Sequence, residues 1–166
     1  VGDTSVHEYP TSEQMAEIAI STARVVRLFG FDPKVAFLSH STFGKPTSER
    51  TKHVREAMEL IKTKNVDFEF DGEMQPDVAL NQKFKTIYPF SKLSGPANIL
   101  IMPAIHSAAI STKLLKELGG STLIGPLLIG LNRPIEIATL RSKVSDIFNM
   151  AAIAAFSSDV IKYKKN

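Results

Sequence analysis

Small polar residues follow short apolar runs at several points of this sequence, where strand-end turns could hold a ligand. Ser39-His40-Ser41-Thr42 comes after Val35–Leu38 and before Gly44-Lys45-Pro46. Hydroxyls and free backbone N–H groups at the start of a helix suit an anion such as phosphate. Gly44-Lys45 is not a P-loop, because Ser39 stands where the first glycine is needed and Pro46 where a Ser or Thr is needed. A polar turn with a helix cap is the alternative use of these residues. Asp71-Gly72-Glu73 with Asp77 places three carboxylates within seven residues. They offer oxygen ligands to Mg²⁺ or Ca²⁺, but without the regular acidic spacing of a calcium loop. A strand-end turn accounts for them, no metal site is expected, and a place in a ligand cleft is the alternative.

Other candidates are single residues. His7, His40, His53 and His106 lie too far apart for ligand spacing. His53 sits among polar neighbours and is expected in solvent, whereas His106 stands at a strand-to-helix turn and is the better site candidate. Gly125-Pro126 interrupts an apolar run at another turn. Lys113 could meet a phosphate as a point charge, or remain a solvated surface lysine. Asp146 follows Arg141-Ser142-Lys143-Val144-Ser145. It can cap a helix through the dipole, or act as a general base beside a thiol or phosphate substrate. No G-x-S-x-G elbow supports a Ser-His-Asp hydrolase.

The elements that must carry these residues are legible as periodicity. Thr11 with Gln14 reads as a capping box, followed by Met15, Ile18, Ala19, Thr22, Val26 and Phe29 on one helical face. Gly30 is a natural stop. A buried strand over 35–38 leads through the Ser39–Pro46 loop to a helix over 48–62, with Val54, Ala57, Met58 and Ile61 inward. Alternation over 67–70 predicts a strand ended by Asp71-Gly72-Glu73. Short helical pieces follow at 76–80 and 82–88. A strand over 98–102, a helix over 105–118 and an apolar strand over 122–129 read as a βαβ unit. A strand over 135–139 and an apolar helix over 144–157 complete the chain, and that helix is expected to be buried all round. Strands alternating with helices predict an α/β fold: three layers, α/β/α, around a mostly parallel sheet.

Bulk properties narrow the partners. The 166 residues carry 20 basic and 17 acidic side chains, a net charge of +3. The pI of about 9.1 gives only a weak lean toward anionic small molecules. No basic stripe is interleaved with aromatics, so nucleic acid is not expected. No run reaches the roughly 20 apolar residues that span a bilayer. The absence of cysteine excludes disulfides and thiolate chemistry and fits a reducing, cytoplasmic setting. The chain opens with Val1, consistent with a processed start or a piece of a longer polypeptide.

Taken in order, TSEQMAEIAIS, KVAFLSHST, VDFEFDGEMQPDVAL, the βαβ segment and VSDIFNMAAIAA resemble the phosphate acetyl/butyryltransferase family over almost the whole chain. The resemblance implies an isocitrate/isopropylmalate-dehydrogenase-like architecture with two lobes, of which only the C-terminal half is represented. Residues 1–130 would form most of the second lobe, and 131–166 would return to an otherwise missing first lobe. YPFSKLSGPANILIMP, KLLKELGGSTLIGPLLIG and VSDIFNMAA are most similar to the transferase-like C-terminal domain of large bacterial NADP-dependent malic enzymes.

That resemblance also assigns residues. The family's general-base aspartate matches Asp146 and its active-site lysine matches Lys113. Its Ser-Arg-Gly becomes Thr139-Leu140-Arg141, so the anion-binding arginine is replaced by Leu140, and a tyrosine becomes Ile124. Leucine cannot clamp an acyl phosphate, and losing such a donor costs on the order of 10²–10³ in rate. Arg141, one place later, could partly compensate. The ligand-binding set is therefore Lys113, Arg141, Ser39, Ser41, Thr42, Gly125, Pro126 and His106, with Asp146 and Thr139 catalytic if the domain turns over. The implied function is an acetyl-CoA-binding regulatory domain with no catalytic cofactor of its own. NADP and a divalent metal would belong to an upstream malate-decarboxylating domain. A homodimer through this lobe, within a larger homo-oligomer, is implied. An active phosphate acetyltransferase using acetyl phosphate and coenzyme A is the alternative, and a purely structural assembly domain the third reading.

Overall fold

A computed structural model describes residues 1–3, 5–46, 48–120, 122–131 and 133–163. They form two compact units, Val1–Lys113 and a second that begins at Leu114. The division falls inside a helix.

The first unit is built as the periodicity predicts. Helix α1 (Ser12–Leu28) starts at Thr11, whose side chain accepts from the Gln14 N–H while the Gln14 side chain accepts from the Thr11 N–H. Such a box satisfies two of the donors that a helix start leaves orphaned. Strand β1 (Lys34–Leu38) follows, then α2 (Glu49–Thr63), capped by Ser48 and Thr51. Next come β2 (Glu69–Met74), the short α3 (Pro76–Leu80), a 3₁₀ turn (Gln82–Thr86), β3 (Ile99–Ile101) and α4 (Ile105–Leu118). The strands run parallel in the order β2-β1-β3.

Central β1 explains the layering. Its side chains alternate, so Val35 and Phe37 enter one core with Met15, Ala19, Val54, Ala57 and Ile61 from α1 and α2. Ala36 and Leu38 enter the opposite core with Met74, Ala79, Leu93, Met102 and Ala108. Helices therefore cover both faces of a parallel sheet, the three-layer α/β arrangement expected from the pattern. Phe29 departs from its assigned face: it is the residue that ends α1 and is exposed.

Several boundaries differ from the sequence reading, and the strand expected over 135–139 is reduced to Ile135–Glu136. Strand β2 begins at Glu69 and runs on through Asp71-Gly72-Glu73 to Met74. The carboxylates do not stop it, because each finds donors once buried. The expected strand over 122–129 is reduced to β4 (Leu127–Leu128), which pairs antiparallel with β5 (Ile135–Glu136) in a separate two-stranded sheet. Gly125 at φ 125° and Pro126, which has no N–H, interrupt the ladder just before it. The anticipated βαβ unit is thus not closed by a parallel strand among the described residues. Finally, α5 (Val144–Tyr163) is longer than expected and is not buried all round. Met150 is buried, but Val144, Ile147, Phe148 and Phe156 are exposed. A two-stranded ribbon covers one stripe of a helix, which leaves the other apolar faces open. Among the described residues no helix is long and apolar enough to cross a membrane.

Candidate functional site

The loop after β1 is held by the end of β2, residue against residue. The Ser39 N–H donates to the Met74 carbonyl at 3.0 Å. The His40 carbonyl accepts from Gln75 Nε2 at 2.7 Å. The Ser41 hydroxyl donates to Glu73 Oε1 at 2.9 Å. Thr42 Oγ1 accepts from the Gln75 N–H at 3.2 Å. The Phe43 N–H donates to the Glu73 carbonyl at 2.7 Å, and the Gly44 N–H to Glu73 Oε1 at 2.7 Å. Each of the residues 39–44 is bonded to Glu73, Met74 or Gln75.

A register shift makes this possible. Phe37 pairs with Gly72 and Leu38 with Met74, so Glu73 is the extra residue between them. A bulge of this kind re-aims a side chain. Here it sends the Glu73 carboxylate, 1% exposed, under the loop. Arg55 of α2 faces its other oxygen, with Nε 3.7 Å from Oε2, and is itself anchored by Nη2 donating to Thr51 Oγ1 at 2.8 Å. Asp71, two residues earlier, accepts from the Lys92 N–H at 2.7 Å and its neighbour's N–H at 3.0 Å. The two carboxylates of Asp71-Gly72-Glu73 are therefore committed to N–H and O–H donors of the chain.

This arrangement separates the loop candidates. Ser41 is fully buried with its hydroxyl turned to Glu73. Thr42 is half-buried and serves Gln75. Ser39 Oγ lies 3.3 Å from the Ser41 N–H and 3.5 Å from His40 Nδ1, and His40 is exposed. Phe43, at φ 48°, places its ring against Tyr88 and Phe90, with centroids 5.3 and 4.9 Å away. Glu73, Arg55 and Gln75 had no assigned role in the loop. The only sequence signal was the DGEMQ run itself, and periodicity does not reveal that a bulge aims its glutamate inward.

His106 and Lys113 lie two turns apart on α4, and both are exposed. The His106 ring meets Tyr9 edge-on at 5.2 Å. In the second unit, Thr139 and Ser142 close a turn. The Thr139 N–H donates to Ser142 Oγ at 2.9 Å, and the Ser142 N–H to the Thr139 carbonyl at 3.0 Å. Leu140, at its corner, is completely exposed, and Arg141 is exposed beside it. Asp146 Oδ2 accepts from the Lys143 N–H at 2.9 Å, the capping use foreseen for it. Gly125 and Pro126 precede β4. Glu136 of β5 has a buried Oε2 without a hydrogen-bond partner among the described residues, and burial pushes its carboxyl above the usual range despite the Leu128 backbone bond.

Comparison with known proteins places these features in context. A family model described as phosphate acetyl/butaryl transferase matches residues 1–155. An NADP-dependent malic enzyme of Rhizobium meliloti (strain 1021) is 54% identical over 158 residues, 95% of this chain and 21% of that protein. A phosphate acetyltransferase of Bacillus subtilis (strain 168) is 34% identical over 92% of this chain and 48% of its own. Among solved structures, a phosphotransacetylase from Streptococcus pyogenes superposes with a TM-score of 0.89 at 37% identity, covering 95% of this chain and 48% of that one. The EutD phosphotransacetylase from Staphylococcus aureus gives 0.88 at 34% identity, covering 95% and 49%. The chain thus spans about a fifth of the malic enzyme it matches and about half of the phosphotransacetylases.

Proposed function

This chain belongs to the phosphate acetyl/butaryl transferase family, and we propose that it is an acetyl-CoA-binding regulatory domain of an NADP-dependent malic enzyme. The similarity to malic enzymes supports the parent. The observation that carries the regulatory role is the Thr139–Arg141 turn. The Thr139 hydroxyl is bonded to that of Ser142, and a fully exposed leucine stands where the resemblance expects a guanidinium. Leucine can neither orient an acyl phosphate nor offset charge that develops in the transition state. Thioester binding does not need that offset.

In this reading Lys113, His106, Ser39 and Thr42 of the first unit contribute to holding the coenzyme. NADP, the divalent metal and malate chemistry belong to the rest of the malic enzyme. A homodimer within a larger cytoplasmic homo-oligomer carries the signal, since regulation requires that acetyl-CoA bind two states of the assembly with different affinity. The alternative, a working phosphate acetyltransferase, draws on the retained Asp146 and Lys113. Calorimetry with acetyl-CoA, alongside a coupled assay of acetyl phosphate plus coenzyme A, separates them. Saturable binding without turnover is expected. Turnover abolished by Asp146→Asn would establish the transferase instead, and no binding at all would leave a structural domain.

A further inference from the structure

A buried carboxylate is costly unless donors are built around it. At Glu73 they are: one oxygen takes the Ser41 hydroxyl and the Gly44 N–H, and the other faces Arg55. Both hydrogen-bond donors come from one loop, and that loop follows the carboxyl end of a parallel strand, where ligands bind in such sheets. We infer that Glu73 is a positioning residue, which from its bulge in β2 presets the Ser39–Gly44 loop to receive the anionic part of the ligand. The inference rests on the acetyl-CoA reading above.

The division of labour follows from the bonds. Ser41 is spent inward and acts through Glu73, not on the ligand. Ser39, His40 and the loop backbone are the groups whose direction Glu73 sets. Arg55 serves as its counter-ion, with Nε 3.7 Å from Oε2. A neutral residue of similar shape that still accepts the two bonds should preserve part of the function, since it keeps the acceptor but loses the partner of Arg55, whereas a residue with no acceptor should not.

Calorimetry with acetyl-CoA and amide hydrogen exchange on the full chain test this. Hydrogen bonds to charged groups are strong enough that Glu73→Ala should lose about tenfold or more in acetyl-CoA affinity. Exchange at the Phe43 and Gly44 amides should accelerate. Glu73→Gln, which keeps an acceptor for Ser41 and Gly44, should bind more tightly than Glu73→Ala. Should Glu73→Ala fail to fold, Ser41→Ala removes one of the two donors and is expected to weaken binding, with a smaller loss of thermal stability than Glu73→Ala. Wild-type affinity in Glu73→Ala, or in Ser41→Ala when the former cannot be measured, overturns the inference alone. So does lowered thermal stability with unchanged affinity and unchanged loop exchange. If the unaltered chain gives no acetyl-CoA binding, both the reading and this inference fall.

Discussion

Asn98 and Lys34 are bonded twice across the start of β1 and β3. The Asn98 N–H donates to the Lys34 carbonyl at 3.0 Å, and the Asn98 side-chain carbonyl accepts from the Lys34 N–H at 2.8 Å. Asn98 Nδ2 also donates to the Asp32 carbonyl at 2.8 Å. One amide side chain therefore completes the ladder beyond the last paired strand residues.

Replacing it should be costly for a surface position. Asn98→Ala removes two side-chain bonds, each contributing about 0.5–1.5 kcal/mol. The expected loss is about 1–3 kcal/mol in urea denaturation, with the slope unchanged. A loss within ordinary surface scatter would show that water replaces the amide.

Gly72 should tolerate no side chain. It lies at φ 150°, and an added Cβ would come within 2.7 Å of the Phe37 carbonyl oxygen and 2.9 Å of Phe37 Cβ. The first is backbone of the central strand and cannot move aside cheaply. Gly72→Ala should destabilise by about 1–3 kcal/mol or more, read as a drop in Tm. Because the clash is next to Glu73, loop exchange should also rise.

Asp3 supplies a pH dependence. Burial pushes its carboxyl up, but the bonds from the Val6 N–H, the His7 ring, and the Ser5 and His7 N–H groups together hold it below the usual range. A carboxylate depressed on folding stabilises the protein above its unfolded pKa of about 4, and that stability is lost as pH falls through the folded value. Asp3→Asn should therefore be less stable than wild type at pH 7, and the gap in Tm should close in acid. A gap that stays constant with pH would exclude ionisation as its source.

Leu140 offers a test by gain. The side chain is fully exposed, so a long cation there meets no steric obstacle within the turn. Thr139→Ser with Leu140→Arg restores the first two residues of the resembled Ser-Arg-Gly. It should raise turnover of acetyl phosphate and coenzyme A by roughly 10²-fold if the missing donor limits the rate. No increase would mean that the residue at position 140 does not limit the rate.

What the residues determined by themselves was local. The Thr11–Gln14 capping pair and 3.6-residue spacing located α1, the same spacing located α2, and an apolar run marked β1, because these depend on neighbours within one or two turns. The family was also legible, since long motifs occur in one order. Tertiary structure decided what short-range pattern does not contain. Asp71-Gly72-Glu73 looks like the end of a strand until Ser41, Gly44 and Lys92 arrive to satisfy its carboxylates. The apolar residues 122–129 look like a central strand, but Gly125-Pro126 breaks the ladder and leaves Leu127–Leu128 to a hairpin partner. The apolar run of α5 says only that burial would be favourable, whereas what is present to cover it is set by neighbours distant in sequence. The direction of the Glu73 side chain belongs to the same class: it follows from a one-residue register shift against β1, a relation between two strands that neither strand's sequence contains alone.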